Sequence, residues 1–120
     1  MGLDQYAFKV KEGEDRFEIA YWRKHNRLQG WMEKLWNERG NKEEFNCVDL
    51  ELGWEDIIQL EQDIANRKLP STSGFFFGGD SYGDLNENGD YIDLQDDLDF
   101  IETAKLALDC GNKVVYHCWW

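Results

Sequence analysis

Asp84, Asn86 and Asn88 stand at alternate positions with Gly89 close behind, the D-x-N-x-N-G opening of a calcium loop. In such a loop alternate side-chain oxygens converge on a hard cation, and the glycine supplies the sharp turn. The pattern asks for a bidentate carboxylate at its twelfth position, where this chain has Gln95. Counting Asp90 as an insertion places Ile92 on the hydrophobic position and Asp96 on the last ligand. The metal set is then Asp84, Asn86, Asn88, Asp93 and Asp96. A polar Asn-Gly turn whose acids cap the next helix accounts for the same residues more simply. The expectation is therefore no cofactor, with calcium as the alternative.

The wider setting of that loop is a stretch of one charge sign. No Lys or Arg occurs between Lys68 and Lys105, and residues 80–102 hold nine carboxylates. Self-repulsion of this density opposes a compact state and calls for a counter-charge. Asp80, Asp84, Glu87, Asp90, Asp93, Asp96 and Asp97 are the candidate contacts to a basic protein surface. The net charge of −12 is uneven: residues 51–120 have fifteen acids against four bases, whereas residues 1–50 have ten against nine. Direct nucleic-acid binding needs clustered cations to neutralise phosphate, and an anionic membrane surface is disfavoured for the same reason.

Tyr21, Arg23, Lys24, Asn26 and Arg27 form a second constellation. Near a helix start they would hold a small anion, together with the Gly74–Gly78 segment. The plainer alternative is that these cations ion-pair with the acidic second half of the chain. Catalytic patterns are missing. The two histidines, His25 and His117, form no zinc-binding helix motif, and there is no P-loop, dinucleotide fingerprint or nucleophile elbow. His117 and Cys118 are neighbours on an expected strand, so they point to opposite faces. The chain is not expected to be an enzyme. Cys47, Cys110 and Cys118 are odd in number and unpaired by spacing, which suggests reduced thiols in a cytoplasmic protein.

The elements that must carry these residues follow from periodicity. Leu3–Val10 and Phe17–Ala20 read as strands, the first with Leu3, Tyr6 and Phe8 as its apolar residues. Tyr21–Arg39 reads as a helix faced by Trp22, Leu28, Trp31, Met32, Leu35 and Trp36, with Gly40 past its end. Phe45–Leu52 is an expected strand and Trp54–Lys68 a second helix, stopped by Pro70. Ser71–Gly89 is loop-rich, with Gly-Phe-Phe-Phe-Gly in its midst. Ile92–Asp109 is a third helix, with Leu94, Leu98, Ile101, Lys105 and Leu108 on one face. Val114–Trp120 is a last strand, placed to pair with the first. The sum is one α+β domain over residues 1–120: a small sheet of three to four strands, with three helices on one face.

Met1-Gly-Leu-Asp with Tyr6, Tyr21-Trp-Arg-Lys24, and Leu69-Pro70 leading to Gly74-Phe-Phe-Phe-Gly78 occur in an order that resembles a family of small bacteriophage and bacterial proteins. The chain departs from that pattern at Gln5, at Asp84–Asp90 and at its Cys118-Trp-Trp end. The resemblance implies a phage-type accessory protein in the host cytoplasm and assigns no residue roles. Taken with the charge, it leads to a non-catalytic acidic binding protein acting on a basic host or defence protein, as an inhibitor or nucleic-acid mimic. The alternatives are the small-anion binder and the calcium module. Surplus aromatics, eighteen in 120 residues, would supply the apolar part of a protein-binding patch.

Overall fold

A computed structural model describes residues 3–23, 25–66, 68–69 and 94–120. The expected calcium loop and Gly74–Gly78 segment, Lys24, and the carboxylates from Asp80 to Asp93 lie outside the described residues. The fold is α+β. Strands β1 (Asp4–Val10) and β2 (Phe17–Arg23) precede helix α1 (Asn26–Glu38); β3 (Asp49–Leu52), α2 (Trp54–Ala65), α3 (Leu94–Asp109) and β4 (Lys113–Trp119) follow. The strands form one antiparallel sheet in the order β2-β1-β4-β3. The chain's two terminal strands do pair, in register from Asp4 opposite Trp119 to Val10 opposite Lys113.

One sheet face is covered. Leu3, Gln5 and Ala7, then Trp22, Leu50, Leu52, Val114, Tyr116 and Cys118 are buried, and the apolar faces of all three helices join them in one core. The opposite face carries Tyr6 stacked on Phe8, with the Arg16 guanidinium 4.2 Å above the Phe8 ring. Arg16 and His117 both reach Asp49 there, at 3.2 and 2.9 Å.

Four expectations need correction. Tyr21–Arg23 are strand, not helix: Tyr21 and Trp22 pair with Tyr6 and Gln5 in the sheet, where aromatic residues fit well. Helix α1 starts five residues later, and its N-cap is His25, whose Nδ1 accepts the Leu28 N–H. The expected strand from Phe45 begins only at Asp49, because Cys47 takes a left-handed backbone (φ 58°) that no strand accommodates. α2 ends at Ala65, where Asn66 leaves helical geometry. Finally, the phase of two elements is shifted by a residue. On β1 the inward set is Leu3, Gln5 and Ala7, with Tyr6 and Phe8 outside. On α3 it is Asp97, Phe100, Ile101, Ala104 and Ala107, while Leu98 is exposed and Lys105 pairs with Glu61 at 2.7 Å.

Buried amides explain the first shift. Gln5 spans the start of α1: its Oε1 accepts the His25 N–H (2.8 Å) and its Nε2 donates to the His25 carbonyl (2.9 Å). The same Nε2 donates to the Tyr116 hydroxyl, which donates in turn to Gln29 Oε1 at 2.6 Å; Gln29 Nε2 reaches Cys118 Sγ. A buried polar group is tolerated when its partners are all present. Helix ends follow the glycines: Gly40 and Gly111 adopt φ of 85° and 84°, open to glycine without steric cost. Arg39, at the end of α1, joins Asp56 at the start of α2 (2.7 Å) and the Glu51 carbonyl on the outer strand β3 (2.6 Å).

Two measurements test this core. Tyr116→Phe keeps the volume but strands the Gln29 acceptor, so it is expected to cost about 1–3 kcal/mol in urea unfolding; an unchanged stability would mean the relay is not formed. Burial pushes the Cys118 thiol from 9.0 up to about 11 and raises Tyr116 as well. A raised native pKa stabilises fully below the unfolded value and is lost as pH climbs through the native one. The urea midpoint should therefore fall between pH 9 and about 11, and fall less in Cys118→Ala.

Candidate partner-binding cleft

Helix α3 opens with Leu94-Gln-Asp-Asp-Leu-Asp, and its first-turn acids Asp96 and Asp97 face the positive end of the helix dipole. Successive residues of an α-helix are rotated by about 100°, so consecutive acids face different surroundings. Asp97 turns inward and is 1 % exposed. Its Oδ1 accepts the Trp22 indole N–H at 3.1 Å, and its Oδ2 lies 2.9 Å from His25 Nε2. Because His25 Nδ1 accepts the Leu28 N–H, Nε2 is the nitrogen that carries the proton to Asp97. Sheet, α1 and α3 thus meet at a single carboxylate. The Phe100 ring stands edge-on to Trp22 at 5.0 Å, one turn further along α3.

With Asp97 inside, Asp96 and Asp99 are left outside on the flank that faces β2. They line a cleft of about 190 Å³ with Thr103 and Phe100 on the helix and Ile19, Ala20, Tyr21 and Trp22 on the strand. The Asp99 side chain accepts from Gln95 Nε2 at 2.8 Å, and Thr103 Oγ1 donates to the Asp99 carbonyl. A mixed lining of aromatic and aliphatic side chains with carboxylates at one rim suits a cationic side chain with an aliphatic stem.

Some acids elsewhere carry a cation: Asp4 has Arg23, Asp49 has Arg16, Asp56 has Arg39 and Glu61 has Lys105, whereas surface acids such as Glu12, Glu33 and Glu44 have no Lys or Arg among the described residues. Among the described residues no Lys or Arg is paired with Asp96, Asp99 or Glu102. Of the cluster expected to pair with the second half of the chain, His25 does reach Asp97 there, at 2.9 Å, whereas Arg23 meets Asp4 in the first half, at 3.0 Å.

The expected contacts separate. Asp96 lies exposed on the cleft rim, but Asp97 is committed to the interior and presents no charge to a partner. Lys24 and the Gly74–Gly78 part of the small-anion set lie outside the described residues. Tyr21 and Arg23 share Asp4, and the hydrogen bond to that carboxylate raises the Tyr21 hydroxyl above its ordinary value. Asn26 is buried at the start of α1. Of the calcium ligands only Asp96 is described, and no group of three or more His, Cys, Asp or Glu side chains among the described residues is placed to hold a metal. Asp99 and Phe100 were missed as cleft residues; the signal was the inward phase of α3, which becomes legible once Asp97 counts as a core residue. No helix among the described residues is long and apolar enough to cross a membrane.

Removing Asp97 tests what holds the cleft walls together. Asp97→Ala leaves two buried N–H donors without their acceptor and is expected to lose about 3–5 kcal/mol in urea unfolding, against at most ~0.5 kcal/mol for Asp96→Ala. Equal effects at the two positions would place Asp97 outside the core. Comparison with known proteins adds no relative: no protein-family model, curated protein or solved structure matches the chain.

Proposed function

We propose that this chain is a non-catalytic, acidic binding protein that docks a basic surface of another protein, acting as a phage-type accessory factor on a host or defence protein. The observation that carries this reading is the division of labour on α3. One carboxylate, Asp97, is fully used by the fold, while Asp96, Asp99 and Glu102 face outward with no cation among the described residues. Surface carboxylates left in this state draw a basic partner by long-range attraction and set the on-rate and salt dependence of docking. The apolar component is nearby: Phe17 and Tyr21 on β2 are 64 % and 48 % exposed, and Leu98 and Leu106 on α3 are 39 % and 62 %. Large apolar side chains left in water beside unneutralised charge are the composition of an interaction site.

An oligoarginine peptide is the probe. Fluorescence titration is expected to show binding that weakens steeply as salt is raised. Joint replacement Asp96→Lys, Asp99→Lys and Glu102→Lys should lower its affinity by more than about tenfold at low salt. Identical binding by the native and charge-reversed proteins would remove α3 from the docking surface.

A further inference from the structure

Among the described residues the sheet ends at β2, and the cleft beside α3 runs along that end. Among the described residues no strand pairs with the outer edge of β2. The opposite edge differs: β3 is four residues long, and Arg39 occupies the Glu51 carbonyl. An edge strand presents a row of backbone donors and acceptors that templates another chain, and proteins blunt such edges by covering or charging them. Here the register between β1 and β2 slips once, between Ala7 and Phe8, leaving Ile19 as the extra residue; Ala20–Arg23 beyond it is regular. That regular stretch shares the cleft wall with Ile19.

From this placement we infer that the cleft is a strand-addition site: an extended segment of the basic partner pairs with β2 at Ala20–Arg23 and lies between the sheet edge and α3. The inference rests on the docking function proposed above and adds its geometry. Alternation of side chains in a strand then dictates the ligand. Residues pointing to the covered side meet Asp96, Asp99 and Thr103, so they are Arg or Lys. Their neighbours point to the open side, where they extend the row of Tyr6 and Tyr21, whose rings are 5.2 Å apart, so they are apolar. Asp96, Asp99, Thr103 and Leu106 recur at three- and four-residue spacing along α3, which gives the ligand an acidic stripe at one end and an apolar one at the other. Charge complementarity thus selects the partner, and the backbone ladder fixes its register.

The decisive probe is a short peptide alternating Arg and Val, compared with the same peptide N-methylated on alternate residues. Methylation removes backbone donors but leaves every charge. Strand addition predicts that the parent peptide binds, that methylation in the register facing β2 lowers affinity by more than about tenfold, and that amide exchange slows at residues 20–23. Equal binding of both peptides with unchanged exchange in β2 overturns strand addition and leaves salt-dependent docking standing. Failure of both peptides to bind at low salt overturns both readings together. Protection confined to α3 also overturns strand addition.

Discussion

The buried carboxylate of Asp97 is the constraint on which the remaining geometry depends. Taking a carboxylate out of water is costly, and only donors held in place offset that cost. Among the described residues these include the indole N–H of Trp22 and the imidazole Nε2 of His25, with the helix dipole of α3 adding to them. Each donor belongs to a different part of the chain, one to β2 and one to the residue that caps α1. Satisfying a single charge therefore fixes where α3 lies against the sheet edge and how α1 leaves β2. The packing of Phe100 on Trp22 follows from that placement.

A second polar system secures the other side of the junction. Gln5 grips both backbone groups of His25, and the chain Gln5–Tyr116–Gln29–Cys118 continues across the core, ending where Cys118 Sγ donates to the Phe45 carbonyl. Such networks are stabilising only when each member is satisfied, and for that reason they specify one arrangement of the elements around them. His25 is thus held through its backbone by one network and through its ring by the other. The turn between β2 and α1 is where the two meet.

Function, in this reading, is what the fold leaves over. A helix with acids at successive positions can bury one and must expose the rest. Asp96 and Asp99, two of the exposed ones, line the cleft between α3 and β2. The aromatic face of the sheet, from Tyr6 to Tyr21, continues that surface on the other side of the same strand.

The class and most of the elements were legible in the residues. Period-2 and period-3.6 patterns located three helices and three to four strands, and Gly40 and Gly111 marked two helix ends. The excess of carboxylates over cations after residue 50 was legible too, because charge is a property of composition. Phase was not. Hydropathy counts Gln5, Gln29 and Asp97 as outward residues, and it drew Tyr6, Phe8 and Leu98 inward in their place. A polar side chain belongs inside when partners from distant parts of the chain meet it there, and Asp97 finds its partners 75 and 72 positions away. Such partnership exists only after folding. The sequence alone therefore determined how much negative charge the protein carries, and the tertiary structure decided which carboxylate is spent in the core and which remain on the surface.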